Sequence, residues 1–235
     1  MAITGKIINV SLGPGNPELI TVKSLKTLQE STSIYCPGTA DKNGNFKSRS
    51  LTILRALPVD TTRIHCFPVP MSKDRTEANR MYDQIALEIQ EKINKGEIVS
   101  ITAEGDSGFY SSGNYLFEKL SNAGIPITTS AGIPAFIAAG ALAGLHIVKQ
   151  EEKLIVLPGT VSSGELQGLI EKNYVIVIMK LSQCTDEIHR FIAKNPSLHV
   201  HYFENIGTTG ELYYQDKEEI MTKEFPYFSL MIIKK

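Results

Sequence analysis

The sequence predicts an α/β protein of two domains, the first built on a mostly parallel sheet and the second on a mixed one. Apolar, strand-like runs alternate with helical patterns through the first half of the chain, which argues for a parallel sheet with helical crossovers. Beyond Pro134 three strand-like runs follow one another with little helix between them, which favours a mixed sheet with antiparallel members. Two glycine-centred loops, Gly13-Pro14-Gly15-Asn16-Pro17 and Glu104-Gly105-Asp106, each come straight after a predicted strand. Enzymes of this class carry ligand chemistry at such strand ends. We divide the chain into residues 1–128 and 129–235, with a ligand cleft between two α/β halves.

Each element has a local reason. Lys6–Leu12 reads as a first buried strand. Glu18–Gln29 carries Leu19, Val22, Leu25 and Leu28 at helical spacing, with Pro17 where a first turn tolerates it. Ser33–Cys36 is a short strand ended by Pro37-Gly38, and the polar stretch Thr39–Ser48 reads as a mobile loop. Ser50–Leu57 is helical and stopped by Pro58, and Arg63–Phe67 is a strand before Pro68-Val69-Pro70. Asp74–Lys95 is the clearest helix: Ala78, Met81, Ile85, Ile89 and Ile93 form one apolar stripe, and Gly96 stops it. A methionine in such a stripe fills core. Ile98–Ala103 is a strand, Ser112–Asn122 a helix closed by Gly124, and Ile125–Thr129 a strand.

The second half reads in the same way. A small-residue helix, Ala135–Ala143, leads to the strand Lys153–Leu157. Then come the helix Gly164–Glu171, the strand Tyr174–Met179 and the helix Thr185–Ala193, stopped by Asn195-Pro196. The closing strands are His199–Phe203, Glu211–Tyr214 and Tyr227–Ile233.

Composition narrows the function. At 235 residues, 42% hydrophobic and 21% charged, the chain is an ordinary globular one. No apolar run approaches the roughly 18 to 20 residues of a membrane helix. Residues 1–5 lack the basic start and apolar stretch of a secretion signal. Cys36, Cys66 and Cys184 form neither a CxxC nor an even disulfide set, and read as reduced thiols of a cytoplasmic protein. Residues 41–80 hold eight basic side chains against four acidic ones, a net of +4 that leaves −5 for the rest of a chain whose total is −1. A local basic face on a mildly acidic protein suits an anionic small molecule better than a nucleic-acid duplex.

The loops carry the chemistry. Glycine lets the backbone adopt positive φ and approach a ligand closely. The Gly13–Pro17 loop lacks the third glycine of GxGxxG and the acidic residue about 20 positions on, so a dinucleotide reading is weak. It also lacks the Lys-Ser/Thr pair of a triphosphate loop. Asp106, just beyond a strand, can accept from a ligand hydroxyl or amine, or cap the next helix. His65, His146, His189, His199 and His201 are scattered, so no metal site is expected. Ser111 and Ser112 lack the GxSxG frame of a hydrolase.

Five segments, LGPGNPELIT (12–21), EGDSGFYS (104–111), SAGIPA (130–135), IMKL (178–181) and ENIGTTGE (204–211), stand in the order and spacing of one enzyme family. The chain resembles the tetrapyrrole methyltransferases, which use S-adenosylmethionine in corrin and siroheme synthesis. Tyr35-Cys36-Pro37, Ser50 leading a helix, Phe67-Pro68-Val69-Pro70-Met71, the Leu157-Pro158-Gly159 strand end and the Tyr227–Lys235 terminus are similar to its precorrin-2 C-20 branch.

The resemblance implies a pair of α/β domains, usually dimeric, with the cofactor in the trough between them. It implies that Pro14 borders the cofactor and that Glu104, Gly105, Asp106 and Phe109 hold its methionine and ribose parts. Pro134 and Ala135 would line the pocket, with Met179 and Gly207 near the adenine; strand core and a simple turn are the plain alternatives for the last two. Tyr35, Arg49, Arg55 and Arg75 are candidate contacts for an anionic tetrapyrrole, and Arg63 and Arg80 belong to the same basic group. Arginine suits carboxylates because its fork pairs bidentately. Cys36-Pro37 stands where uroporphyrinogen methylases of this family carry Asp-Arg, which argues against that substrate. Ala131-Gly132 replaces the usual Pro-Gly, Pro134 a hydroxyl residue, and Ser107 the usual proline. The implied reaction is methylation of C-20 of precorrin-2 or its cobalt form. The alternatives are another ring carbon, a non-tetrapyrrole substrate, or a non-enzymatic cofactor-binding module. No residue is singled out as catalytic.

Overall fold

The computed structural model describes residues 4–40, 44–70, 75–111 and 113–235. It splits into two compact units, Met1–Pro134 and Ala135–Lys235. Met71 of the family-like Phe67–Met71 segment and the expected helix starts Asp74 and Ser112 lie outside the described residues, as do Asp41, Lys42 and Lys73 of the basic segment.

The first unit runs β1 (Lys6–Ser11), α1 (Val22–Glu30), β2 (Ser33–Ala40), β3 (Phe46–Lys47), α2 (Arg49–Ala56), β4 (Ile64–Pro68), α3 (Thr76–Asn94), β5 (Ile98–Ala103), α4 (Asn114–Asn122) and β6 (Ile127–Ser130). β5 and β6 flank β1, and β2 lies between β4 and β5, all parallel. The short β3 runs antiparallel to the far end of β2. Alternation along the strands splits the core in two. Ile7, Tyr35, Val99 and Ile101 pack on α3 and α4 through Ala78, Tyr82, Ile89, Leu116 and Leu120. Val10, Leu12, Ile34 and Cys36 face the other way, onto Leu28, Ile53 and Leu54 of α1 and α2. A division after residue 128 falls inside β6, whose pairing with β1 carries the first unit on to Pro134.

Three local readings change. The helix expected from Glu18 begins instead at Val22, because Thr21 caps it by accepting from the Ser24 N–H at 3.2 Å; Pro17–Leu19 is a separate 3-10 turn. β2 does not end at Pro37-Gly38. Its pairing with β5 stops at Tyr35, so a proline further on costs no ladder bond on that side. The expected mobile loop contains β3, which pairs with Thr39 and Ala40. Gly38 is needed there, since a Cβ would strike the Phe46 ring.

The second unit comprises α5 (Ala135–Leu142), β7 (Lys153–Leu157), α6 (Ser163–Glu171), β8 (Tyr174–Met179), α7 (Thr185–Lys194), β9 (His199–Glu204), β10 (Leu212–Tyr214), α8 (Lys217–Met221) and β11 (Ser229–Lys234). Its sheet has the order β10-β9-β11-β8-β7. Only β7 and β8 are parallel, so the sheet is mixed, as expected. Ile176, Ile178, Tyr202, Met231 and Ile233 form its core with Leu166, Ile188, Phe191 and Ile220. The sequence reading missed α8, five residues capped by the Asp216 carboxylate, which accepts from the Glu218 and Glu219 N–H groups.

Candidate functional site

The carboxyl ends of β1 and β5 are adjacent because the strands are, and the two glycine loops meet there. Gly13 N–H donates to the Gly105 carbonyl at 3.1 Å, and Gly105 N–H returns the bond at 2.7 Å. Both residues have positive φ, +78° and +65°, a conformation that costs other residues about 1–2 kcal/mol. The two differ in surroundings. A Cβ on Gly13 would come within 2.8 Å of the Leu19 carbonyl, whereas one on Gly105 would meet nothing within 4 Å. The main chain at Gly105 therefore borders open space.

A third segment joins them. One Asp106 carboxylate oxygen accepts from the Gly108 N–H at 2.9 Å, and the other accepts from the Gly132 N–H at 2.7 Å. The aspartate thus neither caps a helix nor presents both its oxygens outward; it ties residues 105–108 to the SAGIPA segment. Gly132 fits because a Cβ would collide with the Gly105 carbonyl and with Ser11. Serines complete the knot. Ser11 Oγ donates to Ser107 Oγ at 3.0 Å and accepts from the Ser107 N–H at 2.9 Å. Ser24 and Ser130 hydroxyls lie 2.8 Å apart, and Thr21 Oγ1 donates to the Ala131 carbonyl at 3.1 Å. The sequence reading missed this serine set, whose partners stand about a hundred positions apart with no local signal.

Glu104 is the other carboxylate of the loop. Half-buried at the end of β5, it faces Arg49 in the first turn of α2 and accepts from the Ser50 N–H. Burial lifts its proton affinity above the ordinary glutamate range, with Arg49 and the Ser50 N–H opposing that rise. Burial likewise lowers the Arg49 guanidinium, with Glu104 opposing. Pro14 is buried beside Gly13, and the Phe109 ring meets Tyr110 edge-on at 4.8 Å.

The remaining candidates scatter. Tyr35 is a correction: it is fully buried among α3 and α4 side chains and its hydroxyl donates to Glu88 at 2.6 Å, which makes it core and removes it from the substrate contacts. Arg55 lies in the last turn of α2 and acts on Cys66, while the Arg75 guanidinium carbon lies 5.1 Å from the centre of the Tyr115 ring. Arg63 is spent on Asp60 and on the Gln29 and Ser31 carbonyls. In the second unit Met179 ends β8 opposite Leu230, followed by Lys180 at φ +62°. Gly207, φ +79°, donates its N–H to Glu211 at 3.0 Å. His201 is buried against the Tyr213 hydroxyl at 2.8 Å. Among the described residues no group of three or more His, Cys, Asp or Glu could hold a metal ion.

The main chain here is knotted by serines and one aspartate and left open at Gly105. The family model for Tetrapyrrole (Corrin/Porphyrin) Methylases matches residues 6–220. The chain belongs to that family. The tetrapyrrole methylase sequences include a precorrin-2 C(20)-methyltransferase of Sinorhizobium sp, 30% identical over 233 residues, covering 97% of this chain and 95% of that one. A cobalt-precorrin-2 C(20)-methyltransferase of Salmonella typhimurium is 25% identical over 237 residues, covering 99% and 98%. The fold is also that of the uroporphyrin-III C-methyltransferase of Thermus thermophilus complexed with S-adenosylhomocysteine, with a TM-score of 0.65, 19% identity and 98% of each chain covered. This tetrapyrrole methylase is thus a methyltransferase, and among its described residues no helix is long and apolar enough to cross a membrane.

Proposed function

We propose that this methyltransferase moves the methyl group of S-adenosylmethionine to C-20 of precorrin-2, metal-free or carrying cobalt. The observation that carries this reading is the 30% identity along 97% of the chain with a methyltransferase named for that reaction. What supports a cofactor site here is the Gly105 main chain, which borders open space. Bound there, the cofactor supplies a methyl group already activated on a sulfonium.

The chain's own residues bind and orient. Gly105, whose own N–H and carbonyl pair with Gly13, lets the cofactor approach the main chain closely, and Pro14, Phe109 and Pro134 are proposed to line the same site. Asp106 keeps that backbone in shape, so its charge acts indirectly. Ala135, Met179 and Gly207 are further proposed cofactor contacts, each testable by substitution and titration. Arg49, held next to Glu104, is the best placed of the arginines to meet a substrate carboxylate. Alignment of carbon, methyl and sulfur can supply about 7–11 kcal/mol of barrier reduction when the geometry is good.

We further propose a cytoplasmic homodimer. The support is α5, apolar on all sides yet leaving Ile137 and Leu142 nearly half exposed, a pattern that calls for cover. Sedimentation should give twice the 25.9 kDa of one chain. The deciding experiment is calorimetric titration with S-adenosylhomocysteine, followed by methyl transfer to precorrin-2 and cobalt-precorrin-2 side by side. NMR of the product should place the new methyl on C-20. No binding, or a methyl group on another atom, overturns the reading.

A further inference from the structure

A meso carbon of a reduced tetrapyrrole bears a hydrogen, and methylation there leaves that hydrogen to be removed. In the proposed reaction the C-20 electron pair bonds the methyl carbon, the S–CH3 bond breaks, and its pair returns to sulfur. C-20 then carries both hydrogen and methyl, and the ring carries a positive charge. Neutrality returns only when the C–H pair goes back to the ring and a proton leaves. That proton needs an acceptor within reach, and a carboxylate side chain at the site is one.

At the carboxyl ends of β1, β5 and β6 most polar groups are committed. Asp106 accepts from two backbone N–H groups, Ser11 and Ser107 bond each other, and Ser130 bonds Ser24. Glu104 is held as well, by Arg49 and the Ser50 N–H of α2, but it is a partly exposed carboxylate directly preceding the open Gly105 backbone. Arg49 is the described charged group that acts on it.

We propose that Glu104 is the general base of the reaction, its carboxylate taking the C-20 proton after methyl transfer and releasing it to water when product leaves. This rests on the function proposed above and gives Glu104 a task other than holding the cofactor. The surroundings suit it: burial raises the carboxyl above the ordinary glutamate range, the direction in which a general base gains strength, with Arg49 opposing that rise.

The test is Glu104→Gln in the full-length protein. Its affinity for S-adenosylhomocysteine should stay within about threefold of wild type, while single-turnover product formation with precorrin-2 falls about 10²-fold or more, the usual worth of a general base. S-adenosylhomocysteine should appear ahead of the product chromophore, since methyl transfer then outruns proton loss. Wild-type turnover should fall as pH drops through the glutamate's raised range, and the variant should lose that acidic limb. Glu104→Asp, which keeps the carboxyl, should retain the limb and recover part of the rate, and serves alone if the glutamine variant does not fold. Turnover by Glu104→Gln within threefold of wild type overturns the proposal. So does a variant that loses only cofactor affinity and turns over normally at saturation. Failure of the wild-type protein to bind S-adenosylhomocysteine is a different result and sinks the function itself.

Discussion

Single side chains already separate structural from chemical roles. Burial pushes the Cys36 thiol up to about 12 and Cys184 to about 11. Cys66 is the exposed thiol, also raised by burial although Cys36 and Arg55 pull it back. Thiols react as thiolates, so an aromatic disulfide reagent at neutral pH should modify Cys66 alone, more slowly than free glutathione, and all three only after unfolding. His201 gives a pH prediction. Burial first, then His199 and Lys234, hold its imidazole below the ordinary 6.5. On acidification the unfolded chain binds this proton before the folded one does, so stability falls as pH drops below that value. Denaturant midpoints should decline between pH 7 and 5.5, and His201→Gln should flatten the decline.

Loops and helix ends show where local sequence stops being informative. Ser48 caps α2 by accepting from the Leu51 N–H at 3.1 Å and donates to the Pro37 carbonyl at 2.6 Å. Ser48→Ala should cost about 1–2 kcal/mol in chemical denaturation, at the upper end for a lost cap because a second bond goes with it. Gly105→Ala should cost about 1–2 kcal/mol through its φ alone and weaken S-adenosylhomocysteine binding by filling the open space. Gly132→Ala should destabilise more, since its Cβ has nowhere to go. Periodicity revealed strands such as Ile98–Ala103 and helices such as α3 because each repeats a burial rule over several residues. It could not assign Tyr35, whose strand alternation fits core and cleft equally until Glu88 takes its hydroxyl. Nor could it tell that Asp106 serves Gly132, 26 residues on, because that partner exists only once β6 lies beside β1. Val22 fitted the helical stripe yet is 69% exposed, while polar Ser24 turns inward to meet Ser130. A specific hydrogen bond overrode hydrophobicity there.

Among the described residues the first unit packs a hydrophobic cluster on each face of its sheet, and the second unit has a core and a sheet of its own. If the proposed cofactor reading holds, S-adenosylhomocysteine at a hundred times its Kd should stabilise the folded protein by about 2.7 kcal/mol and raise the Tm by about 5–11 °C. A scan with no shift at that concentration would count against binding. The second sheet carries a further consequence through β11, which lies between β8 and β9 and is the last strand of the sheet in sequence. A ribosome that has made everything through residue 228 has produced β8 and β9 with no neighbour to join them. The nascent second unit must wait for six more residues, and a message truncated there should yield a product whose first unit resists protease while its second is digested.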